Sequence, residues 1–113
     1  MNGIDGNITA SIQVVTELEK NAISERIEQW ETVQTLKGWL DMSGGSSNYT
    51  AYNAKVQEST HVFISDFVPL DSRIKAETSR MIINGKRYDV TLIDNPMELN
   101  EQLEIYLTYT GGR

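Results

Sequence analysis

Hydrophobic and polar positions alternate with period two through most of this chain. Over residues 8–15, Ile8, Ala10, Ile12 and Val14 fall on one side and Thr9, Ser11 and Gln13 on the other, the spacing of a half-buried strand. The same alternation returns near the end, with Leu103, Ile105 and Leu107 against Glu104, Tyr106 and Thr108. Between these lie Met81-Ile82-Ile83 and residues 87–93, separated by Asn84-Gly85. Both turn residues tolerate the positive φ that a type I′ turn requires, so the pattern predicts a β-hairpin. Asp94-Asn95-Pro96 then ends the second arm, because proline has no N–H to donate and Asp and Asn bond their own backbone in turns. The stretch from Arg80 to Thr108 therefore predicts three antiparallel strands, and the rest of the chain is read as organised around it.

Residues 17–31 carry two competing signals. Thr16 followed by Glu19 has the form of a capping box, and Ile23, Ile27 and Trp30 recur at helical spacing, which would allow a helix. Against it, Asn21 and Ser24 are weak helix formers, and Trp30, Thr32, Val33, Thr35, Leu36, Trp39 and Leu40 are strand-favouring. The preferred reading is a long hairpin with its tip at residues 20–24. Met42 closes its second arm, and Ser43-Gly44-Gly45-Ser46-Ser47-Asn48 opens a flexible loop over 43–56, within which 49–55 allow a short helical turn. Strand character resumes over 60–64, and residues 73–77 are read as an extended piece or a single helical turn.

About six antiparallel strands with little helix predict a small barrel or sandwich. The 113 residues make one domain with a single modest core, frayed over 1–7, where two Gly, two Asn and an Asp cluster. Without cysteine, neither a disulfide framework nor a cysteine zinc site is available. No apolar run is long enough to span a bilayer as a helix and no signal-peptide pattern opens the sequence, so a cytoplasmic chain is the default expectation. The sequons Asn7-Ile8-Thr9 and Asn48-Tyr49-Thr50 are read as chance matches. Ten basic against sixteen acidic residues give a net charge of −6, which argues against a phosphate-gripping surface.

Candidate chemistry is sparse. The single histidine, His61, sits in a predicted strand with no G-x-S-x-G elbow to serve, and reads as a strand residue. Asp66, Asp71, Asp89 and Asp94 lack the spacing of a hydrolase pair or a metal loop. Gly44-Gly45 has neither the phosphate-loop pattern nor a following helix. Trp30, Trp39, Tyr88 and Tyr106 could stack bases as an OB-fold does, but with no basic residues seen beside them packing within the sheet is the safer account. No catalytic, metal or cofactor site is expected, and the chain does not read as an enzyme.

A set of landmarks follows in order along the chain: an N-terminal strand at 8–15, the segment Glu28-Gln29-Trp30-Glu31, and Val33-Gln34-Thr35-Leu36-Lys37-Gly38-Trp39-Leu40. After a variable loop come Ser59-Thr60-His61-Val62-Phe63-Ile64, then residues 81–90 around Asn84-Gly85, then Ile93-Asp94-Asn95-Pro96 and a terminal strand within 99–107. In this order they resemble the bacteriophage head-closure, or head–tail joining, proteins. Ser24 departs from a glycine hairpin tip, and residues 73–79 replace a Pro-rich approach to the closing hairpin. The resemblance implies a homo-oligomeric, dodecameric ring at the virion neck, with the portal and adaptor above and a tail or tail-completion protein below. Such a ring, assembled in the host bacterial cytoplasm, closes the channel on packaged DNA without sequence-specific binding. It also implies that the 43–56 loop projects into the lumen as a stopper, which would place Ser43, Gly44, Gly45, Ser46, Ser47, Asn48, Tyr49 and Tyr52 in the channel. The competing reading is an OB-like module for single-stranded nucleic acid or a small ligand, using Trp39, Tyr49 and Tyr52.

Overall fold

The computed structural model describes residues 7–20, 26–42 and 59–109, with backbone alone at 17–20 and 26–27. Six strands, β1 (Ile8–Lys20), β2 (Arg26–Met42), β3 (His61–Asp66), β4 (Ser79–Ile83), β5 (Lys86–Asp94) and β6 (Gln102–Tyr109), close into one barrel. The strand order around it is β1-β2-β3-β6-β5-β4, and every neighbouring pair is antiparallel. Of the two architectures expected from the sequence, it is thus the barrel that forms. Closure depends on the β1–β4 seam, where Ile12 pairs with Met81 and Ala10 with Ile83.

The alternating residues do what their spacing predicts. Ala10, Ile12 and Val14 from β1, Met81 and Ile83 from β4, and Ile105 and Leu107 from β6 all point into the core, where they meet Phe63 and Val90. At the β4–β5 turn, Asn84 and Gly85 have φ of 53° and 77°, both positive as a type I′ turn requires. Residues 17–20 and 26–31 are strand in both arms, so the β1–β2 hairpin forms and the helix alternative does not. The hairpin tip itself lies outside the described residues.

Three bulges bend the sheet into a barrel. Val33 and Thr16 are the extra residues in the β1–β2 ladder, and Thr91 is the extra residue in β5. The Thr91 hydroxyl stays satisfied through Thr108 Oγ1 at 2.9 Å. Gly38, on β2 opposite Ser65, sits where a Cβ would overlap the Ile64 carbonyl, whose carbon lies 2.9 Å from that position. A glycine is therefore what lets β2 and β3 approach closely there.

Each end of the barrel has its own seal. At one end the loop 67–78 folds back, burying Ile74 and packing Val68, Leu70 and Ala76 on the core. The segment 73–77, expected as an extended piece or a single helical turn, lies across two turns: Asp71 accepts from the Arg73 and Ile74 amides by different oxygens, and the Lys75 carbonyl accepts from the Ser79 amide at 3.1 Å in one i to i+4 turn. Gln34, at a position whose cross-strand partner Ile12 is a core residue, holds this loop by donating to the Pro69 carbonyl (3.1 Å) and accepting from the Asp71 amide (2.8 Å). At the other end His61, Tyr88 and Tyr109 meet edge to face or tilted, with centroids 5.2 to 6.4 Å apart.

Candidate functional site

The β1–β2 hairpin is longer than the barrel needs. Pairing of β1 with β4 stops at Val14 opposite Ser79, while β1 continues to Lys20. Pairing of β2 with β3 likewise covers Gly38 to Met42 and leaves the earlier part of β2 paired only with β1. A two-stranded ribbon therefore stands out beyond the end sealed by the loop 67–78. The chain entering β4 does not follow it: the Glu77 amide donates to the Val90 carbonyl at 2.7 Å, and the Ser79 side chain accepts from the Lys75 amide at 2.9 Å. The first bond draws the segment at Glu77 toward β5, and the second closes 75–79 on itself.

A cleft of about 970 Å³ opens in that gap. Val14, Val15 and Thr16 form one wall, with Trp30 beside them, and Lys75, Glu77, Thr78 and Ser79 form the other. Its charged lining is Glu28, Glu31, Glu77 and Asp89 against Arg73 and Lys75, an excess of carboxylate. Arg73 is held by Asp71, whose two carboxylate oxygens accept from its Nε and Nη2 at 3.0 and 2.9 Å. That side-chain pairing, reinforced by the Arg73 amide, draws the Asp71 carboxyl down to about 2. Beside the cleft, the Arg80 guanidinium lies 4.1 Å over the Trp30 ring while its Nε donates to Gln13 Oε1 at 2.8 Å. Burial, and then the neighbouring Arg87, lower the Arg80 pKa, yet a guanidinium stays charged at any physiological pH.

A second surface lies on the outer wall. Trp39, 46% exposed, is opposite Ile64, and Val62 is opposite Tyr106, which is itself opposite Leu92. Tyr106 donates to Glu104 Oε1 at 2.9 Å. This wall is apolar with carboxylates at its margin.

The residues singled out from the sequence do not converge on one site. His61 is a half-buried strand residue whose Nδ1 is 2.8 Å from the Thr60 hydroxyl, and its ring faces Tyr88. Asp66, Asp89 and Asp94 lie on strands and Asp71 in the end loop. Among the described residues no group of three or more His, Cys, Asp or Glu side chains could hold a metal. The aromatic residues separate: Tyr88 is core, Trp30 and Tyr106 are half-buried, and Trp39 is exposed. The expectation that no basic residue accompanies them fails at Trp30, because Arg80, fifty positions away in sequence, reaches it across the β1 seam. Ser43, Gly44, Gly45, Ser46, Ser47, Asn48, Tyr49 and Tyr52 lie outside the described residues, as does the loop 43–56. Sequence reasoning missed the cleft, which is set by where the pairing of β1 with β4 stops and has no local sign in the sequence.

No known protein family matches this sequence, and no curated protein matches it.

Proposed function

We propose that this chain is a structural protein of a virion neck, similar to phage head-closure proteins. It forms a ring under the portal and adaptor, closes the channel on packaged DNA and receives the tail, with no enzymatic step of its own. The observation that carries this reading is the placement of the ordered landmarks on one closed barrel. Residues 8–15 lie in β1, Glu28-Gln29-Trp30-Glu31 and 33–40 in β2, His61-Val62-Phe63-Ile64 in β3, and the later landmarks across β4, β5 and β6. A closed barrel also leaves its walls and ends, with few free sheet edges, as the surfaces for assembly. The net charge of −6 suits a channel through which a duplex must slide without adhering. In this reading the stopper is the loop 43–56, which lies between β2 and β3, and these strands pair Met42 with His61 at the barrel end carrying His61 and Tyr109.

The test is to delete residues 44–52 and examine DNA-filled, tailless capsids by gradient sedimentation. The expected result is a folded protein on capsids that have lost their DNA. Full retention removes the stopper role from this segment, and absence of the wild-type protein from purified necks overturns the neck assignment itself.

One observation favours a second reading. Trp39 is exposed on the outer wall, where it could stack a base or an apolar ligand. An OB-like module would quench Trp39 fluorescence with an oligonucleotide at low salt while remaining monomeric, whereas a neck protein would show no such quenching.

A further inference from the structure

We infer that the cleft beside the ribbon is a strand-accepting groove, whose occupant is an extended segment of a partner protein carrying a basic side chain. Three features converge on it. First, β1 loses its β4 neighbour after Val14 but remains a strand, so at Val15 and Thr16 the backbone edge turned away from β2 has no strand beside it among the described residues. A row of N–H and C=O groups at such an edge is a template for one more strand. Second, the space where that strand would lie is already open: the segment at Glu77 is drawn toward β5, and the gap of about 970 Å³ has room for several residues of extended chain. Third, the lining selects charge. Glu28, Glu31, Glu77 and Asp89 outnumber Arg73 and Lys75 even with Arg80 beside Glu28 and Asp89, and Arg73 is shared between Asp71 at 2.9 Å and Glu31 at 4.0 Å. A lysine or arginine on the incoming strand completes that balance.

The groove adds main-chain pairing to a ribbon that two strands alone hold weakly. Its partner is thus recognised in two ways, by backbone hydrogen bonds for affinity and by a basic side chain for selection. This goes beyond the neck assignment and does not depend on it, since any assembly that supplies such a segment would use the same edge.

The test uses the whole, isotope-labelled protein and three end-blocked heptapeptides of alternating threonine and valine. The first has a central lysine, the second a glutamate in that place, and the third repeats the lysine peptide with alternate backbone nitrogens methylated along one edge. The lysine peptide is expected to move the amide signals of Val15, Thr16 and residues 75–79, with the glutamate peptide about tenfold weaker and the methylated one silent. Shifts that appear elsewhere, no shift up to ~1 mM peptide, or equal binding by the methylated peptide would overturn the groove. Equal binding by the glutamate peptide overturns the basic occupant. Concentration-dependent shifts at Val15 and Thr16 without peptide would seat a second copy there and overturn the partner assignment.

Discussion

Arg80 and Trp30 are joined across the β1 seam: the guanidinium sits 4.1 Å over the indole while its Nε is tied to Gln13. This contact couples the outer face of β4 to the ribbon, because Trp30 is opposite Val15 and Arg80 opposite Gln13. Removing the guanidinium in Arg80→Ala should cost about 1–2 kcal/mol from the lost cation–π contact and hydrogen bond. Arg80→Lys should recover only part of it, since an ammonium cannot both stack and reach Gln13. Urea denaturation in a Trp39→Phe background, where Trp30 is the sole tryptophan, reads both the stability and the local environment.

Two glycines should respond differently to alanine. At Gly38 a methyl meets the Ile64 carbonyl and the Phe63 ring, so the β2–β3 ladder must give way, with a loss of about 1–3 kcal/mol typical of overpacking. At Gly85 the surroundings are open and only the positive φ is strained, a cost of about 1–2 kcal/mol. Amide shifts separate the cases: Gly38→Ala should perturb residues 61–66, and Gly85→Ala the turn alone.

Asp71 gives a pH dependence whose sign is fixed by its pairing. Its folded pKa, about 2, lies below the unfolded value near 3.8, so the Arg73 pairing contributes fully above that unfolded value. The contribution fades as the pH falls from about 4 through about 2. Arg73→Ala should return the carboxyl toward its ordinary range, as read by carbon-detected NMR titration, and Asp71→Asn should remove the transition.

Gln34 holds the end loop through its side chain alone. Gln34→Leu keeps the volume but breaks the bonds to Pro69 and Asp71, which should cost about 1–2 kcal/mol as two lost hydrogen bonds, the exposed Pro69 carbonyl turning to water. Hydrogen exchange should quicken at the Asp71 and Ile74 amides ahead of the core strands. Unchanged exchange there would show that Ile74 burial alone seats the loop.

The strands with clean alternation, β1 and β6, were legible because one face of each is core and the other is wall. The Asn84-Gly85 turn was legible because its backbone requirement is local. The ribbon was ambiguous for a physical reason: Thr16 and Glu19 offer a helix start, but in the fold Thr16 is a bulge and its hydroxyl donates to the Gln29 carbonyl across the hairpin. Cross-strand pairing outweighed a local cap that has value only if the helix forms. Nothing in 67–78 announced an end seal, since Ile74 is buried through a turn set by Asp71, which is anchored by Gln34 thirty-seven positions before Asp71. The cleft was invisible for the same reason, because it is defined by where pairing between distant strands stops.

The β1–β4 seam also sets the order in which the molecule assembles. Ile12 and Met81 lie roughly seventy positions apart, so their ladder needs a large loop to be closed before any pairing rewards it. The β1–β2 and β4–β5 hairpins, each joined by a short connection, can form first as separate units. Pairing across the seam raises the contact order, and the seam is expected to be among the last ladders to close. Until that step both sides of the seam expose strand edges and apolar faces. Crowded expression should therefore favour domain-swapped or aggregated chains over simple unfolding.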